Sequence, residues 1–203
     1  MRLVRGFGVN DAKYVVKVWT ELPKDLSGKR IRVIEWTCPF YKTWVGMIHR
    51  CYSEQSLIKN PTYKNVSVCE EWKYFSNFKA WMETQDWEGK HLDKDIIGPG
   101  NLYSSSCCCF VSARVNLFLT AREARRNVAI GVTVTPCGNY AAKINSGIRG
   151  RTEYLGTYIN PTDAHLAWCN AKLSAAITLI REEDLLPTVA CSLITKVLEL
   201  GGN

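Results

Sequence analysis

Two aspartates of this chain, Asp93 and Asp95, flank a lysine near the expected end of a short β-strand. His91 precedes Asp93 by two residues and Asp95 follows it by two, so all three side chains are expected on the same side of the strand, because side chains alternate along it. Carboxylate oxygens are hard ligands that suit Mg²⁺ or Mn²⁺, and phosphodiester hydrolysis needs such an ion and a base that activates water. The alternative interpretation of Asp93-Lys94-Asp95 is a charged turn without a ligand.

A second group of residues belongs to the same prediction. A strand is expected over residues 92–97, a Gly-Pro-Gly-Asn turn follows, and a short strand over 108–111 leads into a helix that starts at Ser112. This order would bring Asn116 towards Asp93. We therefore predict three metal ligands, Asp93, Asp95 and Asn116, and two candidate catalytic residues, Asp93 and His91. Lys94 is a poor base, because a lysine side chain is protonated at neutral pH unless burial prevents it.

The pattern after residue 128 predicts a three-stranded meander followed by a helix. Strands are expected over 131–135, 140–145 and 151–158, separated by turns that contain Gly138 and Gly147. Asn160 is a suitable helix cap, Pro161 suits the first helical position, and small residues recur on one side of the helix that follows. The helix should therefore cover one face of the sheet.

The strand alternation assigns the sheet residues to two faces. The helix-facing set is Val132, Val134, Tyr140, Ala142, Ile144 and Leu155. The solvent-facing set is Thr133, Thr135, Ala141, Lys143, Asn145, Thr152 and Tyr154. The second set contains no carboxylate and adjoins Arg149 and Arg151, while Arg122, Arg125 and Arg126 precede the sheet. Such a face can enter a DNA major groove, with the arginines on phosphates, or it can be an ordinary solvated surface.

Composition limits the class of protein. The chain has 203 residues, of which 46% are hydrophobic, and a net charge of +7. Basic residues are concentrated in 1–85 and 120–160 around a slightly acidic centre. No apolar run is long enough to span a membrane and no secretory signal is present, so a soluble, cytoplasmic protein is expected. The nine cysteines have no CxxC pair, and we expect reduced thiols rather than a structural zinc site.

The first part of the chain adds few functional indications. Two β-branched stretches within residues 1–35 are compatible with a hairpin. Helices are expected over residues 40–52, where apolar residues recur at helical spacing after Pro39, and around the aromatic series from Trp72 to Met82. The aromatic residues at this spacing are interpreted as core packing rather than as a platform for stacked bases.

The C-terminal pattern resembles the AP2 DNA-binding domain over some fifty residues. The resemblance depends on Gly131-Val132, Tyr140-Ala141-Ala142-Lys143-Ile144, Tyr154-Leu155-Gly156-Thr157-Tyr158 and Thr162-Asp163-Ala164-His165-Leu166-Ala167-Trp168, in this order and spacing. It implies contact with double-stranded DNA through Thr133, Thr135, Lys143, Asn145, Thr152 and Tyr154. The Arg and Trp residues that plant members place at several of these positions are absent here.

The stretch from Tyr41 to Asn116 resembles phage-encoded HNH homing endonucleases, many of which carry an AP2 domain after the nuclease. The resemblance depends on Trp44-Met47-Arg50-Cys51-Tyr52, on Tyr63-Val68-Cys69-Trp72-Phe75-Phe78-Trp81 and on Asp93 with Asn116. It implies a Mg²⁺- or Mn²⁺-dependent hydrolase acting on DNA in the host cytoplasm. The resemblance adds Lys94 and Asn101 to the candidate catalytic residues, at the two positions where the chain departs from the family. Lys94 stands where the family has its general-base histidine. The family's middle asparagine falls near Cys107, and Asn101 in the turn is the candidate to take its place.

Together these features predict an α+β protein with a ββα-metal core followed by a three-stranded antiparallel sheet on one helix. The expected segments are 1–37, of unassigned role; 38–119, HNH-like; 120–127, a basic linker; 128–180, AP2-like; and 181–203, a helix and tail. Two alternatives stay open. The scaffold could have lost catalysis and serve as a DNA-binding regulator or inhibitor of host machinery, or its exposed aromatic residues could bind a host protein.

Overall fold

The structure, a computed structural model, describes residues 3–23, 27–119, 129–145 and 151–201. The described part is a mixture of helices and small sheets, which confirms the α+β class. Its strands are β1 (Lys17–Leu22), β2 (Ile31–Thr37), β3 (Ser67–Val68), β4 (His91–Asp93), β5 (Leu102–Tyr103), β6 (Cys109–Val111), β7 (Val132–Val134), β8 (Tyr140–Asn145) and β9 (Thr152–Tyr158). Its helices are α1 (Pro39–Tyr52), α2 (Glu54–Lys59), α3 (Phe75–Met82), α4 (Ala113–Phe118), α5 (Pro161–Glu182) and α6 (Pro187–Gly201).

The chain divides into two compact units. One unit contains residues Met1–Trp87 and Gly98–Cys108, and the other contains Glu88–Ile97 and Cys109–Asn203. The strands β4 and β6 and the helix α4 therefore belong with the C-terminal sheet and helices. The segment 98–108 belongs with the first unit, because its strand β5 pairs in parallel with β3. The two units do not coincide with the expected ranges 38–119 and 128–180, which stay a prediction.

The first unit is organised around helix α1. Pro39 occupies the first turn, where its missing N–H leaves no helical hydrogen bond unmade, and the helix over 40–52 is confirmed. Trp44 is fully buried, and its indole N–H donates to the Trp72 carbonyl oxygen at 2.7 Å. Phe75 and Phe78 of α3 are buried in the same unit, as the packing interpretation of the aromatic series predicted.

The N-terminal hairpin pairs β1 with β2 in antiparallel register, with an irregularity between Val18 and Trp19. Its apolar side chains are largely exposed. Trp19 and Trp36, for example, have 53% and 46% of their surface accessible. The hairpin was predicted correctly as an element, and the described residues leave most of its apolar side chains exposed.

The second unit is built around a buried cluster that joins α4 to the two C-terminal helices. Val115 and Phe118 of α4 pack in it with Leu179 of α5 and Leu193 of α6, and all four are at most 4% exposed. The helix that was expected near residue 185 is observed as α6. Helix α4 is therefore held by long-range packing, since a helix this short is not stable alone.

The strand predicted over residues 92–97 is shorter than expected. It ends at Asp93, because the Asp93 side chain accepts the backbone N–H groups of Asp95 and Ile96 and turns the chain. The expectation that Asp95 shares a strand face with Asp93 was therefore wrong. Asp95 lies in the turn, and only His91 keeps the strand relationship.

The C-terminal sheet has the order β7-β8-β9 and is antiparallel, as predicted. Asn160 caps α5 by accepting the Asp163 N–H at 2.8 Å, and Pro161 takes the first helical position. Gly131 has a φ of +82°, and a Cβ there would lie 2.0 Å from the Trp168 ring, so the start of β7 approaches α5 closely.

Val134 and Ala141 keep their predicted faces in the register, but the exposure of each differs from the expectation. Val134 is 57% exposed, because it ends β7 beyond the small cluster of Val132, Ala142 and Ala164 under α5. Ala141, expected to face solvent, is only 5% exposed. It lies directly between Thr133 and Thr157 on the neighbouring strands, and side chains paired in this way screen a methyl group.

None of the described helices combines the length and the apolar character needed to cross a membrane. All nine cysteines, which lie within the described residues, carry free thiols.

Candidate metal and nucleic-acid sites

The Asp93 carboxylate is fixed at the end of β4. Its Oδ1 atom accepts two backbone N–H groups, from Asp95 and from Ile96, each at 2.8 Å. Asp93 itself is 7% exposed and pairs across the sheet with Cys109 of β6. One oxygen thus holds the turn, while Oδ2 makes no hydrogen bond to the described residues.

A half-open pocket of about 210 Å³ lies beside this turn. It is lined by Asp93, Asp95, Ile96, Asn116 and Leu119. All three predicted metal ligands therefore meet at one pocket, although Asn116 is distant from the aspartates in sequence. Asn116 reaches the pocket because β4 pairs antiparallel with β6, and α4 follows β6 directly in the chain.

Helix α4 is held at both ends, which fixes Asn116. At its start, the Ser112 hydroxyl accepts the Val115 N–H at 3.2 Å. At its end, the ammonium of Lys172 donates to the Phe118 carbonyl oxygen at 2.5 Å and lies 3.6 Å from the centre of the Phe118 ring. Arg114 adds ion pairs to Glu182 and Glu183 of the α5 end.

Lys172 is a supporting residue that the sequence did not indicate. Lys172 is only 6% exposed, and burial lowers the pKa of its ammonium group to about 8. Its partner Phe118 belongs to a different helix, so no local pattern in the sequence indicates the contact.

Burial raises the pKa of the Asp93 carboxyl above its usual value, although the two backbone hydrogen bonds act in the opposite direction. The negative charge of Asp95 raises it further, and the positive charge of Lys94 lowers it. A buried carboxyl in this situation gains from a cation placed beside it, because the cation stabilises the ionised form.

Lys94 lies within the same turn, and its side chain is buried. Its Nζ atom forms an ion pair with Asp95 Oδ1 at 2.7 Å, and the Lys94 side chain is 8% exposed. Lys94 is not among the residues that line the pocket. The observed position of Lys94 is that of a counter-ion to Asp95.

His91 contacts the pocket residue Asn116 on its other side. The Asn116 amide nitrogen lies 3.4 Å from His91 Nδ1. If the amide N–H donates, the neutral ring carries its proton on Nε2 and offers no lone pair to water. A base requires the opposite tautomer, which the contact permits when the Asn116 oxygen faces Nδ1 instead.

Asn101 belongs to the other compact unit. Its carbonyl oxygen accepts the Ser67 N–H at 2.9 Å, next to the β3–β5 pairing. The contact observed for Asn101 is therefore structural.

The pocket residues fit a hard divalent cation by their chemistry. Two carboxylates and one amide oxygen are the ligand types that Mg²⁺ and Mn²⁺ prefer. Within the ranges that the structure describes, no group of three or more His, Cys, Asp or Glu residues is arranged to hold a metal ion. The predicted ligand set does not meet this criterion, because its third member is Asn116 and only Asp93 and Asp95 belong to those four residue types.

The solvent face of the C-terminal sheet presents polar side chains in adjacent pairs. Lys143 lies opposite Tyr154, and Asn145 lies opposite Thr152. All four are exposed, and the Tyr154 hydroxyl is 2.6 Å from the Thr157 hydroxyl. The face also includes Thr133, whose hydroxyl donates to the Ala141 carbonyl oxygen at 3.4 Å. Thr135 lies just beyond β7, where its hydroxyl donates to the Asn139 carbonyl oxygen at 3.1 Å.

The arginines that were expected to accompany this face are only partly described. Arg151 is exposed immediately before β9. The predicted DNA contacts Arg122, Arg125, Arg126 and Arg149 lie outside the described residues.

Comparison with known proteins finds no matching family model, no matching curated protein and no matching solved structure.

Proposed function

We propose that this chain is a DNA-binding protein and a metal-dependent endonuclease of the HNH type. The pocket lined by Asp93, Asp95 and Asn116 is the single observation that carries this proposal. Asn116 is far from the two aspartates in the sequence, and the three residues meet because β4, β6 and α4 form one ββα arrangement. The HNH resemblance implies the same arrangement.

In the proposed site, Asp93, Asp95 and Asn116 hold Mg²⁺ or Mn²⁺. The ion supplies the positive charge that offsets the negative charge developing on a phosphodiester as it is cleaved. Asp93 is suited to this position because its Oδ1 atom is already fixed by two N–H groups, so little motion is needed to present Oδ2. His91 is the proposed acceptor of the water proton, which requires the single amide oxygen of Asn116, with its two lone pairs, to face both the ion and Nδ1 of His91.

The proposed DNA contact is the solvent face of the β7-β8-β9 sheet, in an AP2-like domain. Support comes from the pairs Lys143–Tyr154 and Asn145–Thr152, which offer donors and acceptors without a carboxylate. The only described sheet carboxylate, Glu153, pairs with Ile144 of the buried face.

A plasmid-nicking assay tests the enzymatic proposal. Supercoiled DNA is incubated with the protein and Mg²⁺, Mn²⁺ or EDTA, and open-circle product is measured. Asp93→Ala and Asn116→Ala should each lower nicking by at least about 100-fold, because each removes a proposed ligand. Glu199→Ala, which removes an exposed carboxylate from α6, is the control and should nick normally. Full activity of both site variants would contradict the site.

The second candidate function is DNA binding without catalysis, as a regulator or an inhibitor of host machinery. One observation favours it: neither side chain next to the pocket is ready to act as a base. Lys94 is ion-paired with Asp95, and Nδ1 of His91 faces the Asn116 amide nitrogen. This candidate predicts retardation of duplex DNA that falls with salt, requires no metal and is accompanied by no nicking.

A further inference from the structure

A cysteine and a histidine lie side by side on helix α5, and neither lines the pocket. The Cys169 sulfur is 3.5 Å from Nε2 of His165, which lies one helical turn earlier. Cys169 is partly exposed, and Gly201 at the end of α6 lies close to its sulfur.

The other nitrogen of the same ring determines which nitrogen carries the proton. His165 Nδ1 lies 3.0 Å from the backbone oxygen of Ile130, and a carbonyl oxygen can only accept a hydrogen bond. Nδ1 must therefore carry the proton of the neutral ring. Nε2 is left with its lone pair, which faces the thiol of Cys169.

The imidazole is also held in place by packing. Its ring stacks on Trp168 with the ring centres 5.7 Å apart and an angle of 10° between the planes. Trp168 is 6% exposed and fills the space beside Gly131, where no side chain fits. The histidine is thus positioned by a carbonyl oxygen on one side and an aromatic ring on the other.

We propose that Cys169 is a modification site that reacts with low-molecular-weight disulfides, with His165 as its base and the Ile130 carbonyl as the group that orients the base. A nucleophile within hydrogen-bond reach of a base that is itself oriented by a third group is the general arrangement of an activated nucleophile. This proposal does not depend on the proposed function in DNA cleavage.

The reaction balances without any further reagent. The Cys169 proton moves to His165 Nε2 while the sulfur attacks one sulfur of the disulfide. The old S–S bond breaks, and the departing thiolate takes the proton from His165, so one protein mixed disulfide and one free thiol form. Burial raises the pKa of the Cys169 thiol, so at neutral pH its sulfur needs a base within reach.

Two exposed cysteines of the same chain, Cys137 and Cys191, provide internal controls. If access alone decides reactivity, they should be modified before the partly exposed Cys169. The native full-length protein is treated with excess glutathione disulfide at neutral pH, and the sites are followed over time by intact mass and peptide mapping. We expect Cys169 to be glutathionylated first.

The variant His165→Gln tests the role of the base. Modification of Cys169 should slow by about tenfold or more, while Cys137 and Cys191 react at unchanged rates in the same molecules. Faster labelling of all cysteines would show that the variant is unfolded. In that case the order in which Cys137, Cys169 and Cys191 react in the native protein is the test of the proposal. The proposal is overturned if Cys137 and Cys191 react before Cys169 in the native protein, or if a folded His165→Gln variant reacts at Cys169 as fast as the native protein.

Discussion

The amide nitrogen of Asn116 lies 3.4 Å from Nδ1 of His91, so a helix residue and a strand residue meet beside the Asp93 turn. This contact links the two parts of the candidate site. Asn116 lines the pocket, and His91 lies on the same face of β4 as Asp93. Metal binding and proton transfer would therefore depend on the same amide group.

Lys94 competes with a bound cation for Asp95, because its ammonium group is already 2.7 Å from Asp95 Oδ1. We expect Lys94→Met, which keeps the length of the buried side chain and removes its charge, to tighten Mn²⁺ binding several-fold. Isothermal titration calorimetry measures the affinity. If Lys94 were instead the catalytic base, the variant would bind the ion normally and lose all nicking.

Lys143→Ala and Arg151→Ala should each weaken binding to duplex DNA. The plot of log K against log salt has a negative slope. If each side chain neutralises one phosphate, each substitution reduces the magnitude of this slope by about 0.9. Gel retardation at several salt concentrations measures this slope. The control is Lys196→Ala on α6, whose ammonium lies 3.8 Å from Glu199, and it should leave the slope unchanged. An equal loss in all three variants would point to a general effect of net charge.

Lys172 makes stability depend on pH in a defined direction. Burial lowers the pKa of its ammonium group to about 8 in the folded protein, from an ordinary value of 10.5. Between these values the unfolded chain binds more protons, so the contribution of Lys172 to the free energy of unfolding rises as the pH increases from about 8 to 10.5.

Urea unfolding at pH 7.5 and pH 9.5 measures this contribution as a difference between two proteins. The wild type should gain more stability, or lose less, over this interval than Lys172→Met. The comparison is needed because other groups also titrate at high pH, and burial raises the pKa of the Cys109 thiol to about 12. Parallel behaviour of the two proteins would contradict a lowered pKa of Lys172 in the folded protein.

Gly131→Ala should destabilise the C-terminal sheet by roughly 2 kcal/mol or more, because the new methyl group would overlap the Trp168 ring at a positive φ. Gly138→Ala is the matched control. Gly138 has a similar φ of +83°, but no atom lies within 4 Å of a Cβ there, so only the backbone cost of about 1 kcal/mol is expected. Chemical denaturation gives both free energies, and equal costs would exclude the close contact.

The elements that local rules determine were predicted well. The cap formed by Asn160, the helix position of Pro161 and the alternation in β8 depend on neighbouring residues, and their residue types indicate the outcome. The end of β4 was missed because the Asp93 side chain competes with strand pairing for backbone N–H groups. Ala141 was missed because its burial depends on residues of two other strands.

The residues that line the pocket could be named from the sequence, but the contacts that support them could not. Asp93, Asp95 and Asn116 could be named from their residue types and order. The contacts of Lys172 with Phe118 and of Lys94 with Asp95 result from the packing of specific side chains in three dimensions. Sequence periodicity shows which residues are apolar, but it does not show where a buried ammonium group finds its acceptor.

The central claim is that Asp93, Asp95 and Asn116 form one divalent cation site. Isothermal titration calorimetry with Mn²⁺ tests it most directly on the wild type and on Asp93→Asn, which keeps an oxygen to accept the Asp95 and Ile96 N–H groups. The account predicts one bound ion per wild-type chain and an affinity lowered by at least about tenfold in a folded Asp93→Asn variant. Absence of Mn²⁺ binding to the wild type, or equal affinity in the variant, would contradict it.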